Sequence, residues 1–265
     1  MDTKSDIGRW WIPDAPNQLV NGKITYGDFQ IACIDVIGHL PVFKMSLNQK
    51  SNSYILWGNL SNGTKVTLLN CLTERLSISA VTSAKIISYC VIVGGHYRSL
   101  AEIQTGKILI TYDGLSQWAN ISGLSFKYNE MTRLAEIGTS HVDDIIVGNH
   151  NDVFIKVNNS LRYQPDFHDI HVAESINIKL ESNHEFTIQE ALDIIQGVSS
   201  FISFGMTRVM YPKIIRIDNS QDKSDPHWIE LYLYRVKETQ KPCDPALIFY
   251  LFALPDIISE CPKML

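Results

Sequence analysis

Short apolar runs alternate with turn residues along most of the chain, and this pattern predicts β-strands. From Gly22 to about Leu180, runs rich in Ile, Val, Tyr and Thr are interrupted by Gly, Asn and Asp, as in strands joined by turns. No helical periodicity intervenes between these runs. Strands at this spacing favour an antiparallel sandwich or barrel.

Two hairpins have the most definite turns. The first joins residues 24–26 to residues 29–37 through Gly27-Asp28, and the second joins residues 53–60 to residues 64–70 around Asn62-Gly63. An Asn-Gly pair supplies the positive φ angles that a tight hairpin turn needs. Further strands are predicted at 84–93, 107–112, 144–147, 153–157, 175–180, 213–217 and 228–236.

One helix is predicted after residue 184. Thr187 and Glu190 have the spacing of a capping box, in which each side chain bonds the other residue's backbone N–H. Apolar residues then recur at helical spacing: Ile188, Ala191, Leu192, Ile195, Val198 and Ile202. The sequence therefore predicts a mainly β fold with a minor α component. An antiparallel β-sandwich or barrel-like region at 1–183 is followed by a helix-containing α+β segment at 184–243.

The last segment of the chain has a different character. Asp244-Pro245 is a typical helix start, and residues 246–254 are apolar on nearly every side. A helix of this kind must be buried on several faces. We therefore expect residues 244–265 to begin a truncated C-terminal helical domain whose packing partners follow Leu265.

Composition and charge narrow the function classes. The net charge is -5, the pI is about 5.9, and the 23 Lys and Arg residues are scattered, which weighs against direct nucleic-acid binding by this region. No apolar run reaches the length of a membrane span. The N-terminus lacks the features of a signal peptide, and the five cysteines form no CxxC pair, so we expect a cytoplasmic protein with reduced thiols.

Candidate catalytic groups have unfavourable contexts. Arg162 and His168 have the Arg-x5-His spacing of one class of metal-independent ribonucleases, but Pro165 between them would break the helix that such a motif occupies. The carboxylates and imidazoles between Asp143 and His171 are too irregularly spaced to define a metal site. We predict no catalytic residue, metal ligand or cofactor. The alternative is a stand-alone hydrolase that uses the Asp143–His171 region, which requires those side chains to meet in one cleft.

The tryptophans are the candidate ligand-binding residues. Trp10, Trp11 and Trp118 are predicted to contact a ligand or partner, because tryptophan is enriched at interface hot spots and stacks on flat ligands. The competing interpretation is that these indoles fill the core. If they are exposed, a second functional class is open, a β-sandwich carbohydrate-binding module.

Three short segments resemble a known family, the ApeA N-terminal domain. Residues 10–13 read Trp-Trp-Ile-Pro and precede a Gly-Lys-Ile strand at 22–24, similar to the family's Trp-x-x-Pro and Gly-x-Leu/Ile opening. The segment from Gly114 to Trp118, with Gly123 and Phe126 after it, resembles the family's "Leu-x-x-Trp … Gly-Phe" stretch. Residues 190–204, leading to Tyr211-Pro212, give the third match.

The resemblance implies a function. Proteins with this domain are bacterial anti-phage defence proteins in which a β-rich N-terminal region precedes a helical HEPN (higher eukaryotes and prokaryotes nucleotide-binding) ribonuclease domain. It implies that this chain senses or restrains, with a phage or host protein as its trigger and a C-terminal HEPN domain in cis as its effector. Any homo-oligomer is expected to form through that domain. No catalytic residue carries over, because this chain has no well-placed Arg-x4–6-His motif.

Overall fold

A computed structural model of the chain describes residues 3–28, 30–43, 53–119, 121–131, 134–165, 170–218 and 228–234. All of these ranges lie in the first of two compact units, Met1–Arg235. The predicted helix after Asp244, and with it the predicted domain boundary at residue 244, lies outside the described residues. Both stay predictions.

Six strands close into a barrel. They are β1 (Thr3–Trp11), β2 (Val20–Gly27), β3 (Ala32–Ile37), β4 (Tyr54–Leu60), β5 (Lys65–Ser77) and β6 (Ser83–Ser88). Each strand is antiparallel to its neighbours in the order β5-β4-β1-β2-β3-β6, and β6 pairs back onto β5. Because β4 returns to lie beside β1, the first four strands form a Greek key.

Period-two alternation explains why these residues form a barrel. In β2, Val20, Ile24 and Tyr26 are buried, whereas Asn21 and Lys23 between them are exposed. Successive side chains of a strand point to opposite faces, so one face of each strand fills the interior. The largest fully buried side chains of the barrel core are Trp10, Ile24, Ile34, Leu40, Phe43, Leu56, Leu68 and Ile86.

A second antiparallel sheet extends from β5. Its strands are β7 (Cys90–Val93), β8 (Gln104–Tyr112), β11 (Ile145–His150), β12 (Val153–Pro165), β13 (Ile170–Thr187), β14 (Pro212–Asp218) and β15 (Trp228–Leu233). The order is β5-β7-β15-β14-β8-β13-β12-β11. The strands β9 (Leu124–Asn129) and β10 (Leu134–Thr139) form a separate hairpin. The strands of 184–243 thus pair with β8 and β7, in the same sheet as strands of the preceding segment.

The barrel and the second sheet share β5. Residues Val66–Leu69 of β5 pair with β7, whereas Leu72–Ser77 pair with β6. Between these halves Asn70 has a positive φ of 54°, which Asn tolerates better than most residues. The predicted strand 84–93 is divided into β6 and β7, and the chain leaves the barrel at this break. The buried Ser88 hydroxyl lies 2.6 Å from the carbonyl oxygen of Leu69 and 3.3 Å from the amide of Cys90.

Helices are few in the described ranges. A 3-10 turn covers Leu100–Glu102, α1 covers Leu115–Ala119 and α2 covers Ile188–Met206. The capping box is confirmed, because the Thr187 side chain accepts the Glu190 amide at 3.2 Å and the Glu190 carboxylate accepts the Thr187 amide at 2.8 Å. Neither α-helix has the length and apolar character needed to cross a membrane.

The predicted fold class, mainly β with a minor α component, is confirmed. Both hairpins form, but both turns differ from the prediction. The first lies between the end of β2 at Gly27 and the start of β3 at Ala32, rather than at Gly27-Asp28. Only Gly63 of the Asn62-Gly63 pair has a positive φ, at 84°. The Gly63 amide donates to the Leu60 carbonyl at 2.9 Å, and the Asn62 side chain accepts the Thr64 amide. These bonds make a longer loop that ends in one left-handed glycine.

A polar cluster between β1 and β15 carries a pH prediction. Glu230 accepts hydrogen bonds from Tyr232 at 2.7 Å and Lys4 at 2.9 Å, and Arg216 lies 3.3 Å away. Burial raises the pKa of Glu230, but these hydrogen bonds and the charges of Lys4 and Arg216 outweigh burial and hold it below its ordinary value. A carboxyl with a depressed folded pKa contributes stability above its unfolded pKa and loses it as pH falls through the folded pKa.

We therefore expect Glu230→Gln to be less stable than wild type near neutral pH and to lose less stability on acidification. Urea denaturation at a series of pH values between about 7 and 2 measures this. The matched control is Glu102→Gln. Glu102 is an exposed residue of the 3-10 turn, and its carboxylate accepts a hydrogen bond from the Arg98 amide. Parallel pH curves for wild type and Glu230→Gln would contradict the expectation.

A candidate recognition surface on the barrel

The alternation of β1 separates the two adjacent tryptophans. Trp10 is fully buried inside the barrel, and its indole N–H donates to the carbonyl of Gly22 at 3.2 Å. A Cβ on Gly58 would lie 2.2 Å from the Trp10 ring, so the indole occupies the space that a side chain at position 58 would take. Trp10 is a core residue with no face open to a ligand.

Trp11 lies on the outer face, directly opposite Trp57 of β4. The ring of His96, from the loop after β7, contacts both. It stacks on Trp57 at a centroid distance of 5.2 Å and an interplanar angle of 10°, and it meets Trp11 at 5.1 Å and 85°. The Nε2 atom of His96 is 3.0 Å from the carbonyl oxygen of Gly58. Since a carbonyl only accepts, Nε2 carries the proton.

A cation completes this group. The guanidinium of Arg98 lies 5.9 Å from the centre of the Trp57 ring, within cation–π range, and 2.9 Å from the Asp14 carboxylate. Arg98 is exposed, whereas Trp11, Trp57 and His96 are half-buried. We call Trp11, Trp57, His96 and Arg98 the aromatic cluster.

Hydrogen bonds from the Thr67 and Trp57 side chains fix the loop that carries His96 and Arg98. The buried Thr67 hydroxyl donates to the Gly95 carbonyl at 2.9 Å and accepts the Tyr97 amide at 3.0 Å. The Trp57 indole N–H donates to the Tyr97 carbonyl at 3.0 Å. A Cβ at Gly95 would come within 2.3 Å of the Tyr97 ring, so the ring packs directly against this glycine. These bonds fix the backbone from Gly95 to Tyr97, on either side of His96.

Two of the three predicted binding tryptophans have described side chains, and of these Trp11 belongs to the cluster and Trp10 to the core. Trp118 lies in α1, and its side chain is outside the described part of the structure. Sequence reasoning did not select Trp57, His96 or Arg98 as binding residues. The signal was obscured because β1, with polar residues at Thr3–Asp6, was not predicted as a strand, and only the β1–β4 register sets Trp57 beside Trp11.

Asp143 and Asp144, two carboxylates of the hydrolase alternative, differ in their exposure and in their partners. Asp144 accepts hydrogen bonds from Asn158 at 2.7 Å and Lys179 at 2.8 Å. Burial raises its pKa, but these bonds outweigh burial and lower it. Asp143 is almost fully exposed and lies 3.4 Å from His141.

The remaining members of that region are only partly described. Arg162 lies in the extended strand β12, residues 166–169 lie outside the described ranges, and the side chain of His171 is not described. Within the part that the structure describes, no three His, Cys, Asp or Glu residues are grouped as metal ligands would be.

Comparison with known proteins identifies one family. A family model described as ApeA N-terminal domain 1 matches residues 6–261, nearly the whole chain. No curated protein and no solved structure matches the chain significantly.

Proposed function

The chain belongs to the ApeA N-terminal domain 1 family, and from this premise we propose that it is the sensing and regulatory region of an ApeA-like anti-phage protein. In this proposal it works in the bacterial cytoplasm and recognises a protein of the phage or the infected host. The effector is a C-terminal HEPN ribonuclease domain in cis, and the outcome is abortive infection.

The observation that carries recognition is the aromatic cluster. Tryptophan and arginine are enriched among the few residues that supply most of the energy of a protein interface. Trp11 and Trp57 lie side by side on the outer barrel face, with Arg98 exposed over one of them. Thr67 already holds the loop by two hydrogen bonds. Binding of a partner would therefore cost little conformational entropy for ordering this loop.

Regulation follows from linkage between two sites. A trigger shifts an equilibrium between restrained and active effector only by the difference in its affinity for the two arrangements. The trigger must therefore bind the active arrangement more tightly. In this scheme the chain supplies recognition and restraint, and it supplies no group to the cleavage of RNA.

The first test replaces the centre of the aromatic cluster. We expect Trp57→Ala combined with Arg98→Glu to abolish the plaque reduction that the complete gene gives against a susceptible phage. Trp228→Ala is the matched control, because Trp228 is also a half-buried strand tryptophan with a cation, Lys107, 5.7 Å from its ring. Undiminished defence by a folded double variant, measured by circular dichroism and plaque counts, would remove the aromatic cluster as the recognition site.

The second test separates recognition from effect. The complete gene and its part beyond residue 265 are expressed separately, and host growth and RNA integrity are followed. We expect the separate C-terminal part to cleave RNA and arrest growth without phage. A harmless C-terminal part with intact RNA would contradict the ribonuclease effector.

A carbohydrate ligand is the second candidate for the same surface. Half-exposed indoles on a β-barrel face are able to stack on sugar rings. Trp11 and Trp57 lie side by side there, and His96 already covers one face of Trp57. A glycan array probed with the purified chain decides between the two. Specific glycan binding that Trp57→Ala removes would favour the carbohydrate function over the protein trigger.

A further inference from the structure

The strand β11 ends the sheet, and it is apolar on both faces. It pairs with β12 on one side and, in the described ranges, has no strand on the other. Ile145, Ile146 and Val147 are 45%, 62% and 57% exposed. An edge with free backbone groups and exposed apolar side chains is a template for another strand.

Of three usual protections of such an edge, β11 has one, a bulge, and lacks the other two, lysine and proline. Proteins blunt edge strands with lysine, proline or a bulge, and Ile145–His150 contains neither lysine nor proline. The register shift between Ile146 and Gly148 is a bulge, which disturbs the alternation and leaves three consecutive apolar side chains in water. This exposure calls for a partner.

Charges on either side of the strand indicate what that partner is. The segment 141–152 reads His-Val-Asp-Asp-Ile-Ile-Val-Gly-Asn-His-Asn-Asp. In antiparallel alignment with itself, with Ile146 opposite the partner's Val147, Asp143 is opposite the partner's His150. His141 is opposite the partner's Asp152 in the same alignment. Asp143 and Asp152 therefore each meet an imidazole of the other copy, Asp144 is opposite the partner's Asn149, and the apolar residues meet at the centre.

We propose that β11 is a self-association site at which two copies of this chain pair edge to edge in antiparallel register. The pairing extends the sheet across the two copies by main-chain hydrogen bonds, the mode known as β-augmentation. It covers the apolar side chains of Ile145, Ile146 and Val147, and the His–Asp contacts select the antiparallel register. This site is separate from the aromatic cluster and does not depend on the proposed sensing function.

Sedimentation velocity of the 265-residue chain tests the pairing. Because one strand pair buries less area than a standard interface, we expect a monomer–dimer equilibrium with a Kd of roughly 10–100 µM. Ile146→Lys is expected to weaken dimerisation by about tenfold or more, since it places a charge among the paired apolar side chains. The matched control is Ile37→Lys. Ile37 is equally exposed, at 62%, but its strand β3 is flanked by β2 and β6.

The register is tested by exchange of charges. Asp143→His and His150→Asp are each expected to weaken the dimer, and the two together to restore it. Circular dichroism confirms that each variant is folded. Three results would each overturn the proposal. The first is a chain that remains monomeric at concentrations up to and above roughly 100 µM, which would leave the edge to a strand of another protein. The others are a dimer that Ile146→Lys leaves intact, and a charge-exchange double variant that does not recover dimerisation.

Discussion

Replacement of Trp10 by alanine is expected to lower the free energy of unfolding by about 3–5 kcal/mol, the cost typical of removing a fully buried large aromatic side chain. The reason is local. Gly22 and Gly58 face the indole, and glycines have no side chains that move into the vacated space. The cavity therefore stays open, and the indole hydrogen bond to Gly22 is lost as well.

Trp11→Ala is the matched control for this prediction, because it removes the same side chain one residue later. Trp11 is half-buried on the outer face and loses mainly its contact with His96, so we expect a loss of about 1 kcal/mol. Urea denaturation followed by circular dichroism measures both variants. Equal losses for Trp10→Ala and Trp11→Ala would contradict the assignment of the two indoles to opposite faces.

A double-mutant cycle tests the contact behind the first prediction. Gly58→Ala in the wild-type background forces the new Cβ to within 2.2 Å of the Trp10 ring and is expected to be strongly destabilising. In the Trp10→Ala background the ring is gone, and the same change is expected to cost much less. Additive losses would show that the two residues do not share one space.

Replacement of Lys213 by methionine is expected to lower the free energy of unfolding by about 3 kcal/mol. Asp28 is buried, and its Oδ2 atom lies 2.9 Å from the Lys213 ammonium. Loss of one partner leaves a buried charge without compensation, which typically costs 3–5 kcal/mol. The lower end applies because the Lys213 side chain is 28% exposed.

The same substitution at an exposed ion pair is the control. Lys85 pairs with Glu74, and both side chains are more than 40% exposed, so Lys85→Met is expected to change stability little. Asp28→Asn added to Lys213→Met removes the uncompensated charge and is expected to recover part of the loss. No recovery would mean that the cost comes from packing of the lysine stem rather than from the charge.

Several elements were predictable because their determinants are local. The α2 helix was predicted from Thr187 and Glu190, whose reciprocal bonds depend on a spacing of three residues. The hairpin β2–β3 was predicted from apolar runs on both sides of Gly27-Asp28, and its turn lies slightly later, between Gly27 and Ala32. Family membership was predicted from short hydrophobic segments and is confirmed by a match over residues 6–261.

Other features required contacts between distant parts of the chain. The predicted 84–93 strand is two strands because Ser88 bonds Leu69 across the sheet and the chain then changes sheets. Three strands were not predicted, namely β1, β9 and β10. The segment Thr3–Asp6 of β1 is polar, and its strand conformation depends on pairing with β2.

By itself, the sequence determined the β-rich class, the capped helix and the family, because alternation, capping and short motifs act over a few residues. Only the tertiary structure decided that Trp10 is core and Trp11 is surface, and that Trp57, His96 and Arg98 join Trp11. A one-residue change of register between β1 and β4 would exchange the two faces. That register is fixed by barrel closure and by the absence of a side chain at Gly58, which are properties of the assembled fold.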